Sequence, residues 1–145
     1  ETEAAARSLR VRLQILEVRG PEEFDNAFAA MTRERADALV VISDPMMFLH
    51  RTRLADLAAK SGLPTMWTLR EYAEAGGLMA YGVHLPDLWR RAAVFVDKIL
   101  KGAKPADLPM QQPTKFELVI NFQTAKALGL TIPHSFLIRA DHVIQ

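Results

Sequence analysis

The stretch ADALVVI-SDP, residues 36–45, decides the fold of this chain. Its run Leu39-Val40-Val41-Ile42 is continuously apolar and rich in β-branched side chains, which is typical of a strand covered on both faces in a parallel sheet. Asp44 can then cap free backbone N–H groups, and Pro45 suits the first turn of a helix. A buried strand that leads straight into a helix is half of a β-α-β unit, so this stretch predicts an α/β fold.

The same pattern recurs twice downstream. A short apolar strand over residues 63–68 is followed by Leu69-Arg70-Glu71, and another over residues 78–80 is followed by Tyr81-Gly82-Val83-His84. The apolar spacing predicts helices around these strands, the longest of them over residues 86–101. Strands that alternate with helices imply right-handed crossovers. We therefore expect a three-layer α-β-α unit with a mostly parallel sheet.

The region before residue 36 extends this pattern. Residues 13–18 alternate apolar and polar side chains, as a half-buried strand does. Pro21 suits the start of a helix that carries Phe24, Phe28 and Met31 on one face. The sequence therefore predicts one more strand and one more helix ahead of the stretch that decides the fold.

The composition changes after residue 102. Residues 104–113 contain three prolines, which exclude a regular helix there. A strand over residues 116–120 follows, and Asn121 can cap a short helix after it. We expect residues 1–102 to form one α/β unit, and residues 103–145 to form a connector, a strand and short terminal helices that pack on that unit or towards a partner domain.

Composition excludes several classes of function. The 145 residues carry a net charge of +1 and no dense basic stretch, so we expect no nucleic-acid partner. There is no cysteine, which excludes disulfides and thiolate chemistry. No run approaches the roughly 18 apolar residues of a membrane-spanning helix. Because the chain begins at Glu1 without a methionine, we expect it to be a processed or trimmed piece of a longer protein.

Polar side chains follow the first and second of the three strand ends. Ser43 and Asp44 follow the first strand, and the Asp44 carboxylate either pairs with a ligand ammonium or hydroxyl group or only caps the next helix. Arg70 could grip a carboxylate with two hydrogen bonds, and Glu71 could accept from an amine. The alternative is a solvated ion pair in a loop. Because ligands of open α/β sheets bind outside the carboxyl ends of the strands, these side chains are candidates for one site.

Aromatic side chains lie beside these ends. Trp67 could stack on a planar ligand or belong to the core. Tyr81 offers an apolar ring with a hydroxyl group at its tip, and Gly82 permits either a positive φ or a close approach of backbone. A buried tyrosine next to a turn glycine is an equally good interpretation of the last pair.

No catalytic pattern accompanies these candidates. The sequence lacks GxSxG, GxxxxGK[ST] and GxGxxG motifs, and its four histidines show no HExxH spacing. We therefore expect no metal, no cofactor and no catalytic residue. The three strand ends are interpreted as a binding wall.

Three segments carry a resemblance to a known family: Ala36–Val41, Gly76–Gly82, and the tail from Pro113 to Asn121 and on through Thr124 to Leu130. Over nearly its whole length the chain resembles the C-terminal half of a bacterial ABC transporter substrate-binding protein, of the group related to the tryptophan-binding-protein-like lipoproteins. The resemblance implies a type I periplasmic-binding fold, in which two α/β lobes close on a small solute.

The resemblance also implies partners and a location. Residues 10–101 would form most of the C-terminal lobe, and ligand contacts would lie around Asp44, around Arg70 and Glu71, and around Tyr81 and Gly82. The solute would be an amino acid or an aromatic or other organic acid. The partners would be an N-terminal lobe of the same protein, which this chain lacks, and a membrane permease, and the location would be periplasmic or extracytoplasmic. Without that lobe, exposed apolar surface could pair two copies of the chain.

Two other functions fit the same architecture. An effector-sensing domain of a transcription regulator would have similar lobes. A small enzyme of flavodoxin-like build would need a nucleophile with its base, or a phosphate loop, and the sequence offers neither.

Overall fold

A computed structural model describes residues 2–145. Within this range the helical segments are two 3-10 turns, Pro21–Glu23 and Pro105–Asp107, and the α-helices α1 Thr2–Leu9, α2 Phe24–Arg33, α3 Pro45–Leu49, α4 Arg51–Lys60, α5 Arg70–Glu74, α6 Leu85–Leu100, α7 Phe122–Ala127 and α8 His134–Arg139. The strands are β1 Leu39–Val40, β2 Thr65–Trp67, β3 Met79–Val83, β4 Phe116–Asn121 and β5 His142–Ile144. None of the helices in this range is both long and apolar enough to cross a bilayer.

One five-stranded sheet runs through the molecule in the order β1-β2-β3-β4-β5. The β1/β2, β2/β3 and β4/β5 pairs are parallel, whereas β3/β4 is antiparallel. The predicted α/β fold with a mostly parallel sheet is therefore confirmed. Residues 103–145 supply β4 and β5 to this same sheet, so that part of the chain packs against the strands that precede it.

The core lies between the sheet and the helices α2, α4 and α5. The predicted face of α2 is confirmed, because Phe24, Phe28 and Met31 are all buried. From α4, Leu54 and Ala58 enter the same cluster. Apolar side chains spaced three or four residues apart share one face of a helix, which explains why these positions meet the sheet.

The prediction of a strand over residues 13–18 is wrong. The segment is extended but belongs to no strand, and no backbone hydrogen bond joins it to another strand among residues 2–145. Leu16 and Val18 still pack against the core, whereas Leu13 and Ile15 are exposed. Alternating apolar and polar residues indicate that one face of a segment is buried, but a strand also needs a neighbouring strand with which it forms backbone hydrogen bonds.

Strand β1 is also shorter and more open than predicted. It spans Leu39–Val40 and pairs only with β2, which makes it an edge strand. Val41 is buried, but Val40 is 65% exposed and Ile42 72% exposed. The expectation that this run is covered on both faces is therefore wrong within the described chain, because nothing there lies against its outer face.

Helix α6 confirms the prediction of a long helix near residues 86–101, but its apolar residues do not enter the core. None of its residues is buried, and Trp89, Val96 and Leu100 are 67%, 54% and 82% exposed. Side chains of this size are individually common on surfaces. Their concentration on one helix marks an apolar surface that has no partner among residues 2–145.

Gly82 is fixed by a close approach of two strands. Its φ is not positive, and a Cβ atom there would collide with the backbone carbonyl of Thr68, which cannot move as a flexible side chain does. Of the two explanations that the sequence left open for this glycine, the structure shows the close backbone approach.

We expect Gly82→Ala to destabilise the fold by about 1–3 kcal/mol, because the added methyl group must push β2 and β3 apart. Urea unfolding measures this change. Gly20→Ala is the matched control: Gly20 has an extended backbone, and the three atoms nearest to its added Cβ all belong to the flexible end of Glu22. The control should change the free energy of unfolding by less than about 1 kcal/mol. Equal effects of the two substitutions would contradict this account.

Candidate functional site

A cavity of about 620 Å³ lies at the carboxyl ends of β1, β2 and β3. Its polar lining includes Ser43 and Asp44 after β1, Thr68 after β2 and Tyr81 on β3. Apolar side chains complete it, and they are Pro45, Phe48, Leu69, Val83 and Phe116. The strand ends singled out in the sequence therefore do meet at one place, as parallel strands require.

Asp44 combines a structural role with a free oxygen. Its Oδ1 accepts a hydrogen bond from the backbone N–H of Met47 at 2.7 Å, which caps α3 as predicted. No hydrogen bond from residues 2–145 reaches Oδ2, and Asp44 is exposed. The carboxylate can therefore hold the helix and present its second oxygen to a ligand in the cavity.

Ser43 is held from behind by a buried tyrosine. The Ser43 Oγ and Tyr72 Oη atoms are 2.5 Å apart. Tyr72 is fully buried, and its ring stacks on Trp67 with ring centroids 4.6 Å apart and planes 12° from parallel. Trp67 is itself 1% exposed, and its Nε1 donates to Thr65 Oγ1 at 2.7 Å. The structure thus places Trp67 in the core, behind the cavity lining.

Arg70 and Glu71 also lie outside the cavity lining. Arg70 Nε pairs with Glu74 Oε1 at 2.9 Å, and Arg70 Nη1 pairs with Glu117 Oε2 at 3.4 Å. Glu117 is buried on β4, so Arg70 joins α5 to that strand. The Oε2 atom of Glu71 is buried and has no hydrogen-bond partner among residues 2–145. In this conformation the guanidinium group is occupied by two carboxylates of the chain.

Phe116 is a lining residue that the sequence analysis missed. Its ring stacks on Tyr81 across the antiparallel β3/β4 pair, with ring centroids 6.0 Å apart and planes 19° from parallel. Both rings are about half exposed. The sequence predicts a strand at residues 116–120, but nothing local indicates that this strand pairs with β3. The two rings form an apolar platform at the mouth of the cavity.

Four of the seven candidate residues therefore share the cavity, and they are Ser43, Asp44, Tyr81 and Gly82. The other three, Trp67, Arg70 and Glu71, lie behind it or beside it. Among residues 2–145, His, Asp and Glu side chains nowhere gather in threes as a metal site would need. The arrangement offers a hydroxyl group, a carboxylate and an aromatic surface for binding.

Comparison with known proteins identifies the family. The sequence model of the family described as ABC transporter substrate binding protein matches residues 1–144. The chain therefore belongs to that family, and the resemblance found in the sequence is confirmed. No curated protein gives a significant match.

Solved structures share the fold. A conserved domain protein from Vibrio cholerae O1 biovar El Tor superposes with a TM-score of 0.89 at 24% identity, over 97% of this chain and 47% of its own. An ABC domain from Streptococcus pneumoniae, solved in complex with L-Trp, gives 0.89 at 29% identity, over 97% of this chain and 48% of its own.

A third structure agrees with these two. The ligand-free, open form of a substrate-binding protein with adhesive properties from Clostridium difficile gives a TM-score of 0.69 at 18% identity, over 99% of this chain and 48% of its own. The chain thus spans about half the length of these proteins. Together the likenesses confirm the predicted periplasmic-binding-protein-like α/β fold.

We expect Ser43→Ala to destabilise the protein by about 1–3 kcal/mol, because it leaves the buried Tyr72 hydroxyl group without a partner. The double variant Ser43→Ala/Tyr72→Phe should recover most of this loss, since it removes both hydroxyl groups. Urea unfolding of the two variants tests the pair. Ser61→Ala is the control, because the Ser61 hydroxyl group forms no hydrogen bond within the described chain. A double variant no more stable than Ser43→Ala would contradict the expectation.

Burial raises the pKa of the Tyr72 phenol above its ordinary value of 10.0, and the hydrogen bond with Ser43 acts in the opposite direction. The folded protein then keeps this proton to a higher pH than the unfolded chain does. The resulting stability is present below the ordinary pKa of 10.0 and is lost as the pH rises above it.

The variant Tyr81→Phe leaves Tyr72 as the only tyrosine, since the chain has two. In this variant we expect phenolate absorbance to appear only above the ordinary pKa, and the free energy of unfolding to fall over the same range. Ionisation at or below the ordinary value of 10.0 would contradict the effect of burial.

Proposed function

We propose that the full-length protein is the extracytoplasmic solute-binding component of an ABC importer. It binds a small organic solute, either an amino acid or an aromatic or other organic acid, between two lobes and delivers it to a membrane permease. It does so without catalysis. The observation that carries the proposal is the cavity at three strand ends, with a carboxylate, a hydroxyl group and an aromatic platform, in a chain of the substrate-binding family.

The chemistry of the lining favours a solute with an apolar ring and a polar end. The exposed faces of Tyr81 and Phe116 suit a planar group, because stacking of aromatic rings contributes free energy in addition to that gained by burying their apolar surface. Asp44 suits an ammonium group, because its Oδ2 is free of hydrogen bonds from the described residues. The relative from Streptococcus pneumoniae was solved with L-Trp, a molecule with both features, and this supports the same class for the present chain.

The other three candidate residues lie behind or beside the cavity lining. Trp67 supports the ring of Tyr72, which in turn contacts Ser43. Arg70 and Glu71 are the first two residues of α5, which follows β2. Arg70 reaches a solute carboxylate only after exchanging one of its present carboxylate partners, so its role in binding depends on a rearrangement on closure.

A second lobe completes the cleft. Good small-molecule sites enclose most of their ligand, and this cavity is bounded on one side by half-exposed rings. The exposed apolar residues of α6 suit an interface with that lobe. In the isolated chain, two copies would pair through this same apolar surface. Residues 1–102 then form the C-terminal lobe, and residues 103–145 contain the hinge connector and the strands that return to it.

Solute binding and lobe closure are coupled in this proposal. Contacts that exist only in the closed state shift the population towards it, which is how hinge proteins respond to their ligands. A thermal-shift screen of the full-length protein against amino acids and aromatic acids tests the function directly, because a bound ligand raises the melting temperature by mass action. Absence of a shift with every compound at millimolar concentration would contradict the proposal.

We expect Asp44→Asn in the full-length protein to weaken binding of the solute found in that screen by about 10- to 100-fold, if its ammonium group meets this carboxylate. Asparagine also caps helices well, so α3 should remain intact. Isothermal titration measures the affinity. Asp56→Asn on the exposed face of α4 is the control and should leave the affinity unchanged. An unchanged affinity with Asp44→Asn would remove Asp44 from the site.

A further inference from the structure

We infer that Tyr72 fixes Ser43 as a hydrogen-bond donor towards the cavity, so that the solute atom beside Ser43 is an acceptor oxygen such as a carboxylate or carbonyl oxygen. This inference rests on the proposed function of the cavity as a solute site. It makes Tyr72 a positioning residue that does not itself touch the solute. The cavity wall at Ser43 then offers a hydrogen-bond donor, although a serine hydroxyl group can in general either donate or accept.

The geometry isolates the two hydroxyl groups from other partners. Tyr72 is fully buried, and within residues 2–145 its Oη atom has one hydrogen-bond partner, Ser43 Oγ at 2.5 Å. Ser43 is only half-buried and lines the cavity. Distance alone permits either group to donate, so the direction depends on what happens to the hydrogen that remains.

Burial decides the direction. If Ser43 donated, the phenol hydrogen of Tyr72 would remain in the core without an acceptor, which disfavours that arrangement by roughly 5- to 150-fold in population. If Tyr72 donates, the remaining hydrogen belongs to Ser43, where water or a solute can accept it. The phenol also keeps its proton, because burial raises its pKa. Tyr72 is therefore the donor, and Ser43 directs its own hydrogen into the cavity.

The surrounding rings hold this arrangement in place. Trp67 stacks on one face of Tyr72, and Phe48 meets the same ring edge to face with centroids 6.0 Å apart. A hydroxyl group that accepts a hydrogen bond becomes a stronger donor, because bonds in a chain polarise one another. Ser43 thus presents a strengthened and oriented donor.

Ser43 and Asp44 therefore have opposite hydrogen-bonding roles in the cavity. Ser43 donates to an acceptor oxygen, while the free Oδ2 of Asp44 accepts from a solute N–H or O–H group. Because Arg70 is engaged by Glu74 and Glu117, the hydroxyl groups of the lining offer a hydrogen to a carboxylate without breaking an ion pair, and Ser43 is the one that lies next to Asp44. A solute that carries an amine but no acceptor oxygen would leave this donor unused.

Raman spectroscopy with off-resonance excitation tests the direction of the hydrogen bond without any ligand. The intensity ratio of the tyrosine Fermi doublet is low for a phenol that donates strongly and high for one that only accepts. In full-length protein, Tyr72→Phe serves as the spectral reference that identifies the contribution of Tyr72. We expect a low ratio for Tyr72 that rises in Ser43→Ala. A high ratio in the unsubstituted protein would overturn the inference.

Binding of L-tryptophan and tryptamine to the full-length protein tests the consequence for the solute, because tryptamine lacks the carboxylate. Tyr72→Phe should weaken L-tryptophan binding by about 3- to 10-fold and leave tryptamine binding unchanged. In a Ser43→Ala background, adding Tyr72→Phe should cause no further loss. A purely structural role would weaken both ligands, and that result would overturn the inference.

The two measurements separate this inference from the proposed function. If the unsubstituted protein binds neither probe, the aromatic amino-acid class is contradicted, and the Raman ratio still decides whether Tyr72 donates to Ser43. If L-tryptophan binds but Ser43→Ala leaves its affinity unchanged, the solute function stands and the inference is overturned.

Discussion

The stacked pair of Trp67 and Tyr72 is the interaction on which the rest of the structure depends. It joins β2 to α5 at the point where that strand ends, and both rings are almost fully buried. Trp67 Nε1 donates to Thr65 Oγ1, which also accepts from the N–H of Leu78 just before β3. The pair therefore fixes neighbouring strands and, through Ser43, one edge of the cavity. Packing of large aromatic surfaces supplies the free energy, and the hydrogen bonds supply the register.

Polar side chains attach the last part of the chain to this core. The buried carboxylate of Glu117 on β4 pairs with Arg70. At the other end of the strand, Asn121 donates to the carbonyl of Ala73 at 2.9 Å and caps α7 by accepting from Thr124 N–H at 3.0 Å. A buried charge or amide without its partner is costly, so these contacts select one position for β4. The position of Phe116 at the cavity follows from that selection.

Local signals in the sequence predict local structure well. Asp44 and Asn121 were predicted as helix caps, and both accept the expected backbone hydrogen bonds, because a cap depends on residues within one turn. The sequence predicts a strand at residues 13–18 that does not form, and it does not indicate Phe116 as a site residue, because both outcomes depend on which strands are neighbours. Arg70 shows the same limit: its role changes once the fold brings Glu117 to it from a distant strand. The sequence therefore locates the strand ends and four of the lining residues, but it does not separate these four from Trp67, Arg70 and Glu71, which lie outside the lining.

The direction of one hydrogen bond connects core packing to solute choice. A hydroxyl group at a cavity wall is ordinarily free to donate or accept, so it discriminates poorly between ligand groups. Burying its partner removes that freedom, because only one of the two arrangements satisfies the phenol hydrogen. Selectivity at Ser43 is then set by the aromatic cluster of Tyr72 and Trp67, which lies behind the cavity lining. Changes in that aromatic cluster would alter which solutes bind even where every residue in contact with them stayed the same.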